Sequence, residues 1–166
     1  MKMKTLNDLF AHELKDLFSA EKQLTKALPK MIKAASNENL REALQNHLQE
    51  TEEQLHRLEE ICNQFHIPTR GAKCRAMEGL IEEGKEILDE DMTDDVRDAA
   101  IICAAQRVEH YEMAAYGCAR TFAEQLGFDE AARLLEHSLN EEKTADRKLT
   151  EIAMQSVNTE AAVGEG

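Results

Sequence analysis

The sequence predicts an all-α fold, an antiparallel four-helix bundle whose middle connection is a long crossover holding a short fifth helix. Three observations carry this. The composition is dominated by Ala, Leu, Glu, Lys, Gln and Arg, the residues that cost least in a helix. Only 2 Pro, 7 Gly and no Trp occur, and aromatics make up 4%, which speaks against a sandwich built on many turns. Apolar residues recur at helical spacing through four long stretches separated by clear punctuation. At 166 residues the chain is long enough for one domain with a substantial core and short for two.

Each element has its own start and stop. Thr5 with Asp8 has the form of a capping box, and a periodic pattern runs from Leu6 to Ala35. Ser36-Asn37-Glu38-Asn39 interrupts it and can cap a second helix from Leu40 to Phe65, which Pro68, Thr69 and Gly71 end. A shorter amphipathic piece spans Ala76 to Leu88 within the link from His66 to Thr93. After Thr93-Asp94-Asp95 a third long helix runs to Leu126 and stops at Gly127, a residue suited to a left-handed terminator. Asp129 can cap the fourth, which reaches about Val157. Residues 1–157 thus form one domain, and 158–166 are expected as a flexible C-terminal tail. Short loops within each helix pair force antiparallel neighbours, and the long link lets the second pair be reached by a crossover. Two hairpins so joined make a ferritin-like bundle; an up-down bundle with an inserted helix is the other topology these loops allow.

Projected at about 100° per residue, each apolar stripe contains acids where leucines belong. Glu21 lies within the stripe of Phe10, Leu14, Leu17, Leu24 and Leu28. Glu142 is central on the face of Leu135, Leu139 and Leu149, with Asp146 beside it. Glu112 is central on the face of Ile101, Ala105, Val108 and Tyr116, with Glu109 on its shoulder. On the second helix His47, Thr51 and Gln54 share the stripe, and Glu50 sits at its margin. Glu21, Glu50, Glu109 and Glu142 all fall near the midpoints of their helices, so at a rise of about 1.5 Å per residue antiparallel packing brings them to one level.

Bare carboxylates do not tolerate that arrangement, because removing one ionised carboxylate from water costs at least several kcal/mol and crowding adds to it. Few basic residues share these faces, so either protons or cations must sit among the acids. Two divalent ions would offset four of the six carboxylate charges. The expected site is therefore dinuclear, with Glu21, Glu50, Gln54, Glu109, Glu112, Glu142 and Asp146 as ligands, and its hard oxygens favour iron or manganese. His47 is read as a satisfied core histidine, with a ligand or a role behind the ligands as the alternatives. His110 is expected to point away, and Tyr116 to pack or to hydrogen-bond a ligating carboxylate.

The rest of the composition narrows the partners. With 33 acidic and 20 basic residues the net charge is −13, which disfavours nucleic acid as a partner. No apolar run has the length of a signal peptide or a membrane span, so a cytoplasmic protein without a membrane role is expected. Cys62, Cys74, Cys103 and Cys118 have neither zinc-type nor CxxC spacing and read as reduced thiols.

Several segments carry a family resemblance: Ser19-Ala20-Glu21-Lys22-Gln23-Leu24, His47-Leu48-Gln49-Glu50-Thr51, Cys74-Arg75-Ala76-Met77-Glu78-Gly79-Leu80-Ile81, Val96-Arg97-Asp98-Ala99-Ala100, Val108-Glu109-His110-Tyr111-Glu112 and Glu141-Glu142-Lys143. Over nearly the whole chain they resemble the YciF-like bacterial stress proteins of the ferritin-like superfamily. The resemblance implies a ferritin-like bundle, a homodimer, a di-metal site between the helices and an association with stress. The wider superfamily pairs Glu with a His three residues on; here those positions are Glu53 and Ala145, so Gln54 and Asp146 stand in and the site is expected to be nearly all oxygen. Two functions follow as expectations: a di-iron or di-manganese protein reacting with oxygen or peroxide, or a helical adaptor or structural dimer whose cluster is empty or only metal-stabilised. No catalytic residue beyond the ligands can be named from the sequence.

Overall fold

The computed structural model describes residues 3–163. Helix α1 (Leu6–Ala34) opens with the expected capping box: Thr5 Oγ1 accepts from the Asp8 amide at 3.1 Å, and Asp8 accepts from the Thr5 amide at 3.0 Å. Helix α2 (Glu38–Gln64) is capped by Asn37, whose side chain accepts from the Leu40 amide. Helix α3 (Arg75–Leu88) lies in the crossover. Helix α4 (Asp94–Gln125) ends before Gly127, which adopts φ +74°, the left-handed conformation that suits glycine at a helix terminus. Helix α5 (Asp129–Ile152) passes through a π-helical turn, Ala153–Val157, into the short α6 (Asn158–Val163). Asp129 is the first residue of α5 and makes no capping bond, because the preceding cap position is taken by Phe128. Phe128 instead packs its ring against Phe10 and Phe65. Of the expected tail, 158–163 are helical, and 164–166 lie outside the described residues.

Helix adjacency identifies the topology. α1 packs on α2 and α4, α5 packs on α4 and α2, and α3 lies over α1 and α4. In an up-down bundle α2 and α4 would be neighbours; here they occupy opposite corners, so the link crosses the length of the bundle. Paired contacts fix the directions. Gln106 reaches Thr150 while Arg120 reaches Glu136, so α4 and α5 are antiparallel. The start of α4 meets the end of α1 through Asp98, which also makes that pair antiparallel.

Asp98 secures the α1–α2 loop. It is buried, and its two carboxylate oxygens accept from the Ser36 and Asn37 amides at 2.8 and 2.7 Å. Without Asp98 both amides would lose this partner, and no buried carboxylate would tie α4 to the partly exposed α1–α2 loop. Replacing Asp98 by Ala is expected to lower stability by about 1–3 kcal/mol, the loss of two hydrogen bonds to a charged group. A urea titration compared with Asp98→Asn checks this, the amide oxygen restoring one of the two bonds.

The core is in two parts. One apolar cluster, around Leu24, Leu28, Leu40, Leu44, Ile101 and Leu149, fills the end near the α1–α2 loop. The other, around Phe10, Leu14, Leu58, Ile61, Ala119 and Leu135, fills the opposite end. Between them every bundle helix contributes buried polar side chains: Glu21, His47, Thr51, Gln54, Glu109, Glu112 and Glu142.

Candidate metal centre

The four helices bring this polar layer together at mid-height. Glu21 on α1, Glu112 on α4 and Glu142 on α5 are fully buried. Tyr116, one turn after Glu112 on the same face, donates its hydroxyl to Glu21 Oε1. Gln54 on α2 donates its Nε2 to Glu142 Oε1 at 2.7 Å and to Glu141 Oε2 at 3.0 Å. Glu141 is itself held by both terminal nitrogens of Arg57, at 2.6 and 2.8 Å. With its amide nitrogen engaged on one side, Gln54 must aim Oε1 to the other.

What these bonds leave unpaired defines the site. Glu21 Oε2, His47 Nδ1, Gln54 Oε1, Glu109 Oε2, Glu142 Oε2 and both Glu112 oxygens are buried without a hydrogen-bond partner. Buried polar atoms are nearly always satisfied, so a convergent set of orphaned donor atoms calls for an occupant. Ligand atoms of His47, Glu112 and Glu142, from three different helices, lie within 4.8 Å of one another, a spacing at which one ion can be shared. Four carboxylates, one amide oxygen and one imidazole fit iron or manganese, which accept mixed oxygen and nitrogen donors.

Electrostatics register the same crowding. Burial, then the charges of Glu21 and Glu142, push Glu112 well above the usual carboxylate range. Burial raises Glu21 to about 7 against the opposing hydrogen bond from Tyr116. Burial and the Glu21 charge raise Glu142 to about 8. Burial, with Glu142, Asp146 and Glu50 nearby, raises Glu109 to about 9. A bond between Glu112 and either neighbouring carboxylate exists only if one of the pair carries a proton. His47 is pushed down to about 4 by burial, so it is a neutral imidazole, the ligating form.

The structure redistributes the residues expected in the site. Glu21, Gln54, Glu112 and Glu142 meet in the interior, and Glu109 borders them. Glu50 is half-buried and lines, with His47 and Glu109, a cavity of about 400 Å³ between α2 and α5. Asp146 is not brought to the interior: it accepts from Gln106 Nε2 at 3.1 Å and pairs with His110 Nε2 at 3.1 Å on the outer side of α4 and α5. Four residues of helix turn a side chain about 40° past its starting direction, enough to carry Asp146 off the centre marked by Glu142. His47 differs in the other direction. Its Nδ1 is unsatisfied and a ring nitrogen lies within 4.8 Å of ligand atoms of Glu112 and Glu142, so the candidate donor set is not all oxygen. Arg57 and Glu141 escaped the sequence reading because both lie off the stripe; the three-residue step from Gln54 to Arg57 was the available signal. Tyr116 makes the carboxylate bond that its position allowed. All four cysteines are free thiols, Cys62 and Cys74 buried, Cys103 and Cys118 exposed.

Comparison with known proteins agrees with the fold. The family described as a domain of unknown function, DUF892, matches residues 5–162. Protein YciF of Escherichia coli K12 is 50% identical over 162 residues, covering 97% of this chain and 98% of that protein. The crystal structure of the E. coli stress protein YciF superposes with a TM-score of 0.90 at 50% identity, over 94% of this chain and 99% of that one. YcfI from Rhodopseudomonas palustris superposes with a TM-score of 0.87 at 45% identity, over 90% of this chain and 95% of its own. With a match from residue 5 to residue 162 and half its residues shared with a YciF, this chain belongs to the DUF892 family of YciF-like proteins.

Proposed function

We propose that this chain holds a dinuclear centre of iron or manganese in the polar layer and works in a stress setting on a small oxidant, oxygen or peroxide, as a cytoplasmic homodimer. The observation that carries the reading is the convergence of unpartnered buried donors from Glu21, His47, Gln54, Glu109, Glu112 and Glu142. When bound, such ions supply Lewis-acid and redox chemistry toward an oxidant. The protein's own groups do the rest. Tyr116 fixes the rotamer of Glu21, and Gln54, backed by Glu141 and Arg57, fixes that of Glu142. Glu50 and Glu109 line the cavity through which a small molecule reaches the layer, and the two apolar clusters keep water from its other sides. The stress setting rests on the description of the E. coli relative.

A second reading, a structural dimer or adaptor without chemistry, is favoured by one observation: the carboxyls titrate at or above neutrality, so protons alone can hold the layer together. Elemental analysis separates the two. Protein purified without chelator is expected to carry about two iron or manganese ions per chain, lost in Glu142→Ala, and to consume peroxide or oxidise added ferrous iron. Metal-free, folded protein from metal-replete cells would select the structural reading.

A further inference from the structure

We propose that the groove between the crossover helix and the bundle binds an anionic amphiphile, a long-chain carboxylate whose alkyl tail lies in the groove and whose head group meets lysines on its rim. The groove encloses about 370 Å³ between α3, α1 and α4, within the size range of small-ligand sites of about 300–1,000 Å³. Its floor is apolar: Leu24, Met31, Leu80, Ile81 and Val108. It is open because α3 is poorly seated. Only Met77 and Gly84 of α3 are buried, while Leu80, Ile81 and Leu88, on its apolar side, remain half-buried. Small residues, Ala27, Gly84 and Ala104, leave the remaining room.

The rim decides the sign of the ligand. Lys26, Lys30, Lys73 and Lys85 edge the groove, and all four are exposed. Lys73 pairs with Glu78; no ion pair among the described residues involves Lys26, Lys30 or Lys85. The α1 side of the groove and the segment leading into α3 are basic as well. From Lys22 to the end of α1, and from His66 to Arg75, the chain has Lys22, Lys26, Lys30, Lys33, Arg70, Lys73 and Arg75 without one acid. On a chain of net charge −13 these cations stand along the α1 side of an apolar slot lined by no acid among the described residues. Glu82, Glu83 and Glu86 of α3 line a separate cavity with Arg107 and His110. Elsewhere the surface repels an anionic amphiphile and attracts a cationic one, so selectivity for the anion marks the groove. None of its residues lines the cavity beside the metal centre, and the proposal does not depend on that centre.

The probes are decanoate, laurate and myristate below their micellar concentrations, with dodecyltrimethylammonium as the cationic counterpart, titrated calorimetrically into the full chain. Affinity is expected to rise about fourfold per methylene until the slot is full. Laurate is expected to bind more tightly than dodecyltrimethylammonium, and K30E/K85E to weaken laurate about tenfold without moving the thermal midpoint. Ala27→Phe, which plugs the slot, should abolish laurate binding; if that variant misfolds, the exposed lysine pair carries the test. Preference for the cation, affinity independent of chain length, or unchanged laurate binding in the lysine variant overturns the proposal. So does sedimentation showing that Ala27→Phe splits a dimer, which would place a second copy in the groove.

Discussion

Glu112→Gln is expected to abolish metal binding while making the metal-free protein more stable. Glu112 is fully buried, its oxygens have no donor, and it lies against the charges of Glu21 and Glu142. In metal-free protein at pH 8 the folded chain must hold a proton on Glu112 that the unfolded chain has released, whereas an amide of the same shape needs none and offers two N–H donors to the facing carboxylates. A gain on the order of 1–3 kcal/mol follows from removing that protonation cost and satisfying buried acceptors. With metal, the same change removes the carboxylate between the two neighbours, and affinity should fall at least about 100-fold. Thermal melts with and without chelator, together with metal per chain, read both effects. Asp146→Asn is the contrast: its carboxylate faces Gln106 and His110, so metal content should not change. If Glu112→Gln destabilises the metal-free chain, the charge-crowding account of the layer is wrong.

The second large effect is an inversion of pH dependence by metal. Free carboxyls titrate near 4.5, but in the fold Glu21 is raised to about 7, Glu142 to about 8, Glu109 to about 9 and Glu112 well up. The folded metal-free chain therefore holds more protons than the unfolded one, and its stability falls as pH rises from about 4.5 through 9. His47 acts at the acid end. Lowered from 6.5 to about 4, it contributes stability that is lost as pH falls through that window. With four raised carboxyls against one lowered imidazole, the metal-free maximum lies on the acid side of neutrality. Between pH 5.5 and 9 the loss should be on the order of several kcal/mol, since one pKa unit corresponds to about 1.4 kcal/mol. Metal needs the carboxylates deprotonated, so binding releases protons and tightens with pH. The loaded protein should therefore gain stability over the range in which the metal-free protein loses it. Calorimetric midpoints at pH 5.5, 7 and 8.5 test this, and parallel curves would refute metal occupancy of the layer.

What the sequence discloses is what is local. The Thr5–Asp8 box, the Asn37 cap and Gly127 set helix boundaries through neighbours within a few residues, so the helices could be placed closely. Glu21, Glu112 and Glu142 were legible because an acid at the centre of an apolar stripe has one direction to face. Glu50 sits at its stripe's margin and Asp146 beside the centre of its own, where a rotation of about 40° decides between interior and rim. His47 could not be resolved from its wheel position: a histidine in a stripe looks the same whether or not its Nδ1 has a partner, and only the facing helices show that it has none. Phe128 displaced Asp129 as the cap through aromatic contacts with residues remote in sequence.

A hydrophobic interior interrupted at its waist gives the molecule two nuclei instead of one. Each end has its own oily plug drawn from all four rods, and among the described residues the two plugs are separate clusters on either side of the acidic belt. Either end can loosen while the other stays shut, so amide exchange should report two separately opening blocks in the metal-free chain. Whatever settles in the belt clasps both blocks at once and turns them into a single cooperative body.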